Sequence, residues 1–194
     1  MIVLPSLDVA AVVVTPGAGA GRDNPTLVAL ERALAPLPVL RLDFPRRERG
    51  LRGPDRPEDA IAHLRARADA FAAELGVRPE RIVLGGRSFG GRMSSMAVAQ
   101  GQPAAGLLLL SYPLHPPGQP DKLRVAHFPD ITVPVLAISG TRDPFGTPDE
   151  LRQHLAALSG PWQLVEVAGA HAPRDDATVT APARAWLVGD RRAG

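Results

Sequence analysis

Ser88 is the residue with the clearest chemical potential. It sits in Arg81-Ile82-Val83-Leu84-Gly85-Gly86-Arg87-Ser88-Phe89-Gly90-Gly91-Arg92, an apolar run that enters Gly86-x-Ser88-x-Gly90 and leaves as a helical pattern. A strand that turns sharply into a helix at a serine is a nucleophile elbow. The turn forces the serine backbone into strained geometry, so small residues are needed two positions to either side. The strain aims the hydroxyl out of the strand's carboxyl end. The following helix directs its first N–H groups at the same place, which favours a developing oxyanion. Ser94 and Ser95 are the nearest alternative nucleophiles.

A serine attacks a carbonyl only with a base to take its proton and an acid to orient that base. For a serine on an elbow the chain order is serine, acid, histidine. Asp143 falls just past the fifth apolar run, in Gly140-Thr141-Arg142-Asp143-Pro144-Phe145-Gly146, and His171 falls in the loop after the sixth. Both would therefore lie at the strand ends where Ser88 emerges. Asp before Pro is also a common turn former, but Asp175 and Asp176 follow His171 and do not fit the order. Among the other histidines, His63 and His154 fall within helical patterns and read as solvated, and His127 reads as structural. His115 follows the fourth apolar run and is the alternative base.

The oxyanion would need two N–H donors. One comes from Phe89, after the nucleophile, and one from the loop after the first core strand, Thr15-Pro16-Gly17-Ala18-Gly19-Ala20-Gly21. Ala18 is the expected second donor, with Gly17 and Gly19 as alternatives. Gly17, Gly19, Tyr112 and His115 are the further residues expected to line the pocket. A glycine loop between a strand and a helix also resembles a dinucleotide site, but Gly17-x-Gly19-x-Gly21 lacks the G-x-G-x-x-G spacing.

These residues need strands to carry them. Apolar stretches at Ala10–Thr15, Val39–Phe44, Arg81–Leu84, Leu107–Ser111, Val133–Ser139 and Gln163–Val167 predict strands. Several are continuous Val, Ile and Leu runs, which suit a parallel sheet covered on both faces. Met1–Pro5 could add one edge strand. Helices are predicted over Pro25–Ala35, Asp55–Leu75, Ser88–Gln100, Pro148–Leu158 and Pro182–Val188. Asp55–Leu75 is the clearest, with Ile61, Leu64, Phe71 and Leu75 on one face, Pro57 near its start and Gly76 after its end. Alternation of strand and helix predicts one α/β layer domain over residues 1–194. Arg46–Arg56, Pro113–Asp121 and Ala168–Asp176 read as irregular.

The composition is ordinary for a globular chain of 194 residues, at 45% hydrophobic and 22% charged. No apolar run is long enough for a membrane helix. Met1 to Val14 lacks a basic start and contains Asp8, so no signal peptide is expected. With no cysteine there is no disulfide framework or thiolate metal site, and a cytoplasmic location fits. Of 22 basic residues only Lys122 is lysine. The pI near 9.9 thus reflects arginine's high pKa, because the net charge is only +2. Nucleic-acid binding needs a concentrated basic face, and Arg46–Arg56 has no interleaved aromatics to stack bases. That segment reads as a solvated loop with internal ion pairs rather than an anion patch.

The motifs together resemble the α/β-hydrolase superfamily, in particular its small dienelactone-hydrolase-like branch. That branch includes the hydrolase-like domain of a regulatory subunit of the NSL histone-acetyltransferase complex. The resemblance rests on Thr15 to Gly21, Arg41-Leu42-Asp43-Phe44-Pro45, Gly85 to Arg92, Tyr112-Pro113-Leu114-His115-Pro116-Pro117-Gly118 and Gly140 to Gly146, in order along nearly the whole chain. It implies an α/β-hydrolase fold, with a mostly parallel sheet of about six to seven strands and helices on both faces. It implies Ser88 as nucleophile, Asp143 as acid and His171 as base, acting on a small-molecule acyl substrate, and no metal or organic cofactor. Pro16 departs from the histidine that many relatives carry there, and Ala172-Pro173 departs after His171. Larger relatives insert a cap between the fourth and fifth strands. Here that connection is a short Pro-rich loop, so no cap domain is expected. The resemblance also leaves a non-catalytic interaction module, or an acyltransferase or thioesterase, as alternative functions.

Overall fold

A computed structural model of the protein describes residues 4–173 and 175–189. Six strands form one sheet: β1 (Ala11–Thr15), β2 (Val39–Arg41), β3 (Ile82–Arg87), β4 (Gly106–Leu110), β5 (Val135–Gly140) and β6 (Trp162–Val167). Their order is β2-β1-β3-β4-β5-β6, and every pairing is parallel. The expected edge strand at Met1–Pro5 falls mostly outside the described residues, and Leu4 and Pro5 carry no strand.

The continuous apolar runs have a simple physical cause. Side chains alternate across a strand, so each run feeds two cores. Ala11, Val13, Ile82, Leu84, Leu107, Leu109, Val135 and Ala137 pack on one face. Val12, Val14, Val83, Leu108, Leu110, Leu136 and Ile138 pack on the other. Helices cover both. On the first face lie α3 (Pro57–Leu75), α4 (Phe89–Ala99) and α5 (Pro148–Leu155), through residues such as Leu64, Ala68, Met93, Ala97 and Leu151. On the second lie α1 (Pro25–Leu34) and α6 (Asp176–Leu187), through Leu27, Leu30, Val179 and Ala183.

Local chemistry sets the helix limits. The Asn24 side chain accepts from Thr26 N–H at the start of α1. Thr147 and Glu150 form a reciprocal capping box on α5. Gly76 ends α3 in the left-handed conformation, at φ 64°. Two boundaries differ from expectation. Pro182, read as a helix start, lies inside α6, which begins six residues earlier where Asp175 caps Ala177 N–H. Within Arg46–Arg56 the short helix α2 (Pro45–Glu48) forms, led by a proline at its first position. Two arginines of that segment bind carbonyls, Arg46 donating to Arg52 O at 2.8 Å and Arg49 to Pro45 O at 3.2 Å, and among the described residues none of its arginines makes the expected ion pair.

The strand order matters for the site. From β1 the chain steps outward to β2, then crosses back to β3 on β1's other side. The carboxyl ends of β1 and β3 thus flank the point where the strand order reverses, where open α/β sheets bind ligands. Thr15 and Gly86 are register partners there. A single three-residue turn, Phe128–Asp130, interrupts the irregular connection between β4 and β5. No cap domain is built on it. No helix among the described residues is long and apolar enough to cross a membrane.

Candidate active site

Ser88 follows β3 directly and sits at φ 51°, ψ −116°. A positive φ in a residue with a Cβ costs on the order of 1–3 kcal/mol and persists only where the surroundings enforce it. Two features enforce it. Ser88 N–H is tied to Leu110 O at 2.8 Å. The chain also turns against β1 so closely that a Cβ on Gly86 or Gly90 would collide with the Thr15 carbonyl. Only glycine fits there, which is the steric content of Gly86-x-Ser88-x-Gly90.

The two other groups arrive on the loops after β5 and β6. The Asp143 side chain is fully buried, and its Oδ1 accepts from Phe145 N–H at 2.9 Å. His171 Nδ1 lies 2.8 Å from Asp143 Oδ2 and 3.0 Å from Oδ1. His171 Nε2 lies 2.8 Å from Ser88 Oγ. A carboxylate only accepts, so Nδ1 carries the donated proton, and neutral Nε2 is left as acceptor for the Ser88 hydroxyl. The geometry can therefore move the serine proton onto the imidazole.

Two side chains that the sequence reading gave no role hold the imidazole loop. Phe145 packs on the His171 ring, with centroids 4.2 Å apart and planes tilted by 33°. Arg87 Nη2 donates to His171 O at 2.9 Å. Burial pushes the Arg87 pKa below its ordinary value, and Asp143 and Asp176 oppose that shift. The signal for Phe145 and Arg87 was their adjacency to Asp143 and Ser88. Nothing in the sequence indicated that both converge on the histidine.

The three groups open into a cleft of about 530 Å³. Gly17, Ala18 and Phe89 line one side, and a Cβ on Gly17 would sit 3.5 Å from Ser88 Cβ. Among the described residues the backbone N–H groups of Ala18 and Phe89 make no hydrogen bond. Pro54, Asp55, Pro113, Phe145, Arg92 and Arg124 supply further wall.

Of the other expected lining residues only Gly17 reaches the cleft. Gly19, at φ 74°, is the third residue of the turn that Ala20 N–H closes on Gly17 O at 3.1 Å, and it does not line the cleft. Tyr112 is buried in the core behind the cleft, where its hydroxyl donates to Arg124 O at 2.6 Å. Burial raises its pKa. His115 is also buried, with Nδ1 2.8 Å from Pro116 O and its backbone N–H on Phe145 O at 3.0 Å. It buttresses the Asp143 loop instead of facing Ser88. The alternative serines are committed elsewhere: Ser94 Oγ donates to Gly85 O at 3.0 Å, and Ser95 Oγ to Arg92 O at 2.8 Å. His127 Nε2 lies 2.8 Å from Ser95 Oγ. Burial, with Arg92 nearby, lowers its pKa to about 4.

Comparison with known proteins agrees with this architecture. Three solved structures illustrate the likeness. A dienelactone hydrolase from Anabaena variabilis is 19% identical, with a TM-score of 0.70 over 92% of this chain and 85% of its own. The RedJ thioesterase of the prodiginine pathway in Streptomyces coelicolor is 18% identical, with a TM-score of 0.65 over 96% and 90%. An alpha-beta serine hydrolase homologue from Coxiella burnetii is 19% identical, with a TM-score of 0.68 over 88% and 82%. At these identities the shared property is the fold. The family model for the alpha/beta hydrolase domain matches residues 8–173, and the chain belongs to that family.

Proposed function

We propose that the protein is a serine hydrolase that cleaves ester or related acyl bonds of small molecules. Ser88 Oγ attacks the acyl carbonyl while its proton passes to His171 Nε2. Asp143 holds the imidazole tautomer and stabilises the imidazolium that forms. The tetrahedral oxyanion is met by the N–H groups of Phe89 and Ala18, each contributing about 3 kcal/mol to barrier reduction. The leaving group takes the proton from His171, and an acyl–Ser88 intermediate remains. Water, deprotonated by His171, then attacks that acyl group and releases the acid and free Ser88.

The observation that carries this reading is the unbroken chain Ser88 Oγ to His171 Nε2 at 2.8 Å and His171 Nδ1 to Asp143 Oδ2 at 2.8 Å. The uncapped cleft supports a small substrate with direct access from solvent. The same chemistry serves an ester or a thioester, and a thioesterase is among the proteins of like fold. The resemblance to the NSL-complex domain supplies the rival reading, an interaction module, in which Ser88 would be unreactive.

A fluorophosphonate probe separates the two. The folded protein should be labelled at Ser88, labelling should disappear in Ser88→Ala, and short p-nitrophenyl esters should be turned over. Absence of both labelling and turnover in folded protein would sink the enzyme reading. Labelling that survived in Ser88→Ala would move the nucleophile elsewhere.

A further inference from the structure

The stretch Tyr112 to Pro117 takes no part in the reaction proposed above, yet it is buried from Tyr112 to His115. The Tyr112 hydroxyl donates to Arg124 O at 2.6 Å, and Arg124 N–H donates to Leu114 O at 2.9 Å, which folds the β4–β5 connection back on itself. The loop that carries Asp143 leans on this platform. His115 N–H donates to Phe145 O at 3.0 Å. Leu114 lies so close to Gly146 that a Cβ there would sit 2.7 Å from Leu114 Cβ.

Phe145 links this platform to the acid and the base. Its N–H donates to Asp143 Oδ1 at 2.9 Å, its ring packs 4.2 Å from the His171 ring, and its carbonyl is the one His115 holds. The His115 ring is clamped in turn. A carbonyl only accepts, so Nδ1 donates to Pro116 O at 2.8 Å. Nε2 is buried without a hydrogen bond and faces Glu150 Oε1 at 3.6 Å. The other oxygen of Glu150 accepts from Thr147 N–H at 2.8 Å, so one carboxylate joins His115 to the N-cap that closes the Asp143 loop. The Thr147 hydrogen bonds, and after them the His115 ring, hold the Glu150 carboxyl below its ordinary pKa. A buried ring nitrogen without a hydrogen bond costs free energy that an apolar side chain of similar size would not. Filling space is therefore a poor account of a histidine at this position.

We infer that His115 is a positioning residue: its buried ring, set between Pro116 O and Glu150, holds the Phe145 peptide and so keeps Asp143 and His171 aligned on Ser88. The inference rests on the serine-hydrolase reading for its effect on turnover but not for its effect on the Asp143 loop.

Two measurements on the full chain test it. His115→Leu fills the buried space with an apolar side chain, and His115→Ala empties it, so misfolding of one leaves the other decisive. In either, the Phe145 amide should exchange its hydrogen about ten-fold faster, because a loosened clasp opens the loop more often. The amides of β4 should exchange as in the native protein. The kcat for p-nitrophenyl acetate should fall about ten-fold with KM little changed, since alignment and not binding is lost. His115→Asn keeps a donor for Pro116 O and should restore part of both. Unchanged exchange at Phe145 overturns the inference, whatever kcat does. Faster exchange shared equally by β4 overturns it too, by making His115 a general support of the fold. Faster exchange at Phe145 alone, with native kcat in an active enzyme, overturns the link to catalysis. If the native protein shows neither turnover nor labelling of Ser88 while Phe145 responds, His115 still positions Asp143 and the hydrolase reading fails.

Discussion

Arg87 Nη2 donates to the backbone carbonyl of His171 at 2.9 Å, which ties the residue before Ser88 to the loop that carries the imidazole. The side chain leaves β3 at its last position, and the carbonyl it reaches lies four residues past β6. One guanidinium thus spans the two loops whose separation sets the Ser88–His171 contact.

Arg87→Gln is too short to reach that carbonyl and should let the histidine loop drift. A displacement near 1 Å costs about 100-fold in rate, so kcat should drop 10- to 100-fold. Arg87→Lys keeps a long cationic donor and should recover part of the loss. The check is kcat and the rate of fluorophosphonate labelling at Ser88, with folding followed by circular dichroism. Full activity in Arg87→Gln would remove the positioning role.

The Thr15 carbonyl faces both glycines of the elbow, and a Cβ at Gly90 would also meet Thr15 Oγ1 and Pro16 O. Gly90→Ala should therefore destabilise the fold by about 3 kcal/mol, the upper part of the range for overpacking, and abolish activity. Adding Thr15→Ala removes the side-chain hydroxyl and methyl and leaves both carbonyls. The double variant should recover less than half of the loss in a urea titration. Full recovery would show that the Thr15 side chain, and not the carbonyls, had set the constraint.

Much of the sheet was legible because its strands are buried on both sides. Val12 to Val14 and Leu107 to Leu110 have no polar face to conceal them. Ser88, Asp143 and His171 could be read as a unit because each follows a strand end, and all six strands run parallel. What stayed hidden was side-chain direction over long separations. Arg87 and His171 are 84 positions apart, and one is bound through its backbone, which leaves no trace in residue type. The α6 boundary was obscured by Pro182, whose start-like signal is overridden by the packing of Val179 and Ala183 on the sheet.

Ser88 offers a separate test of stored strain. At φ 51° a Cβ is disfavoured, and glycine adopts this region freely. Ser88→Gly should be inactive yet about 1 kcal/mol more stable than Ser88→Ala, which keeps the strain and loses the same hydroxyl. Comparing these two variants cancels the lost contact with His171. Equal denaturation midpoints would show that the elbow is held without strain.

His127 should make stability depend on pH. Burial, aided by Arg92, lowers its pKa from an ordinary 6.5 to about 4. Between those values the unfolded chain binds a proton at this position that the folded chain refuses. Unfolding then takes up protons, so stability falls as pH drops from about 6.5 towards 4 and is unaffected by this group above 6.5. His127→Gln keeps an amide donor for Ser95 Oγ and cannot titrate. Thermal midpoints at pH 7 and pH 5 should therefore differ more in the native protein than in the variant, while the other titrating groups shift both alike. The comparison isolates the histidine, and equal pH dependence in the two proteins would show that its charge is accommodated in the folded state.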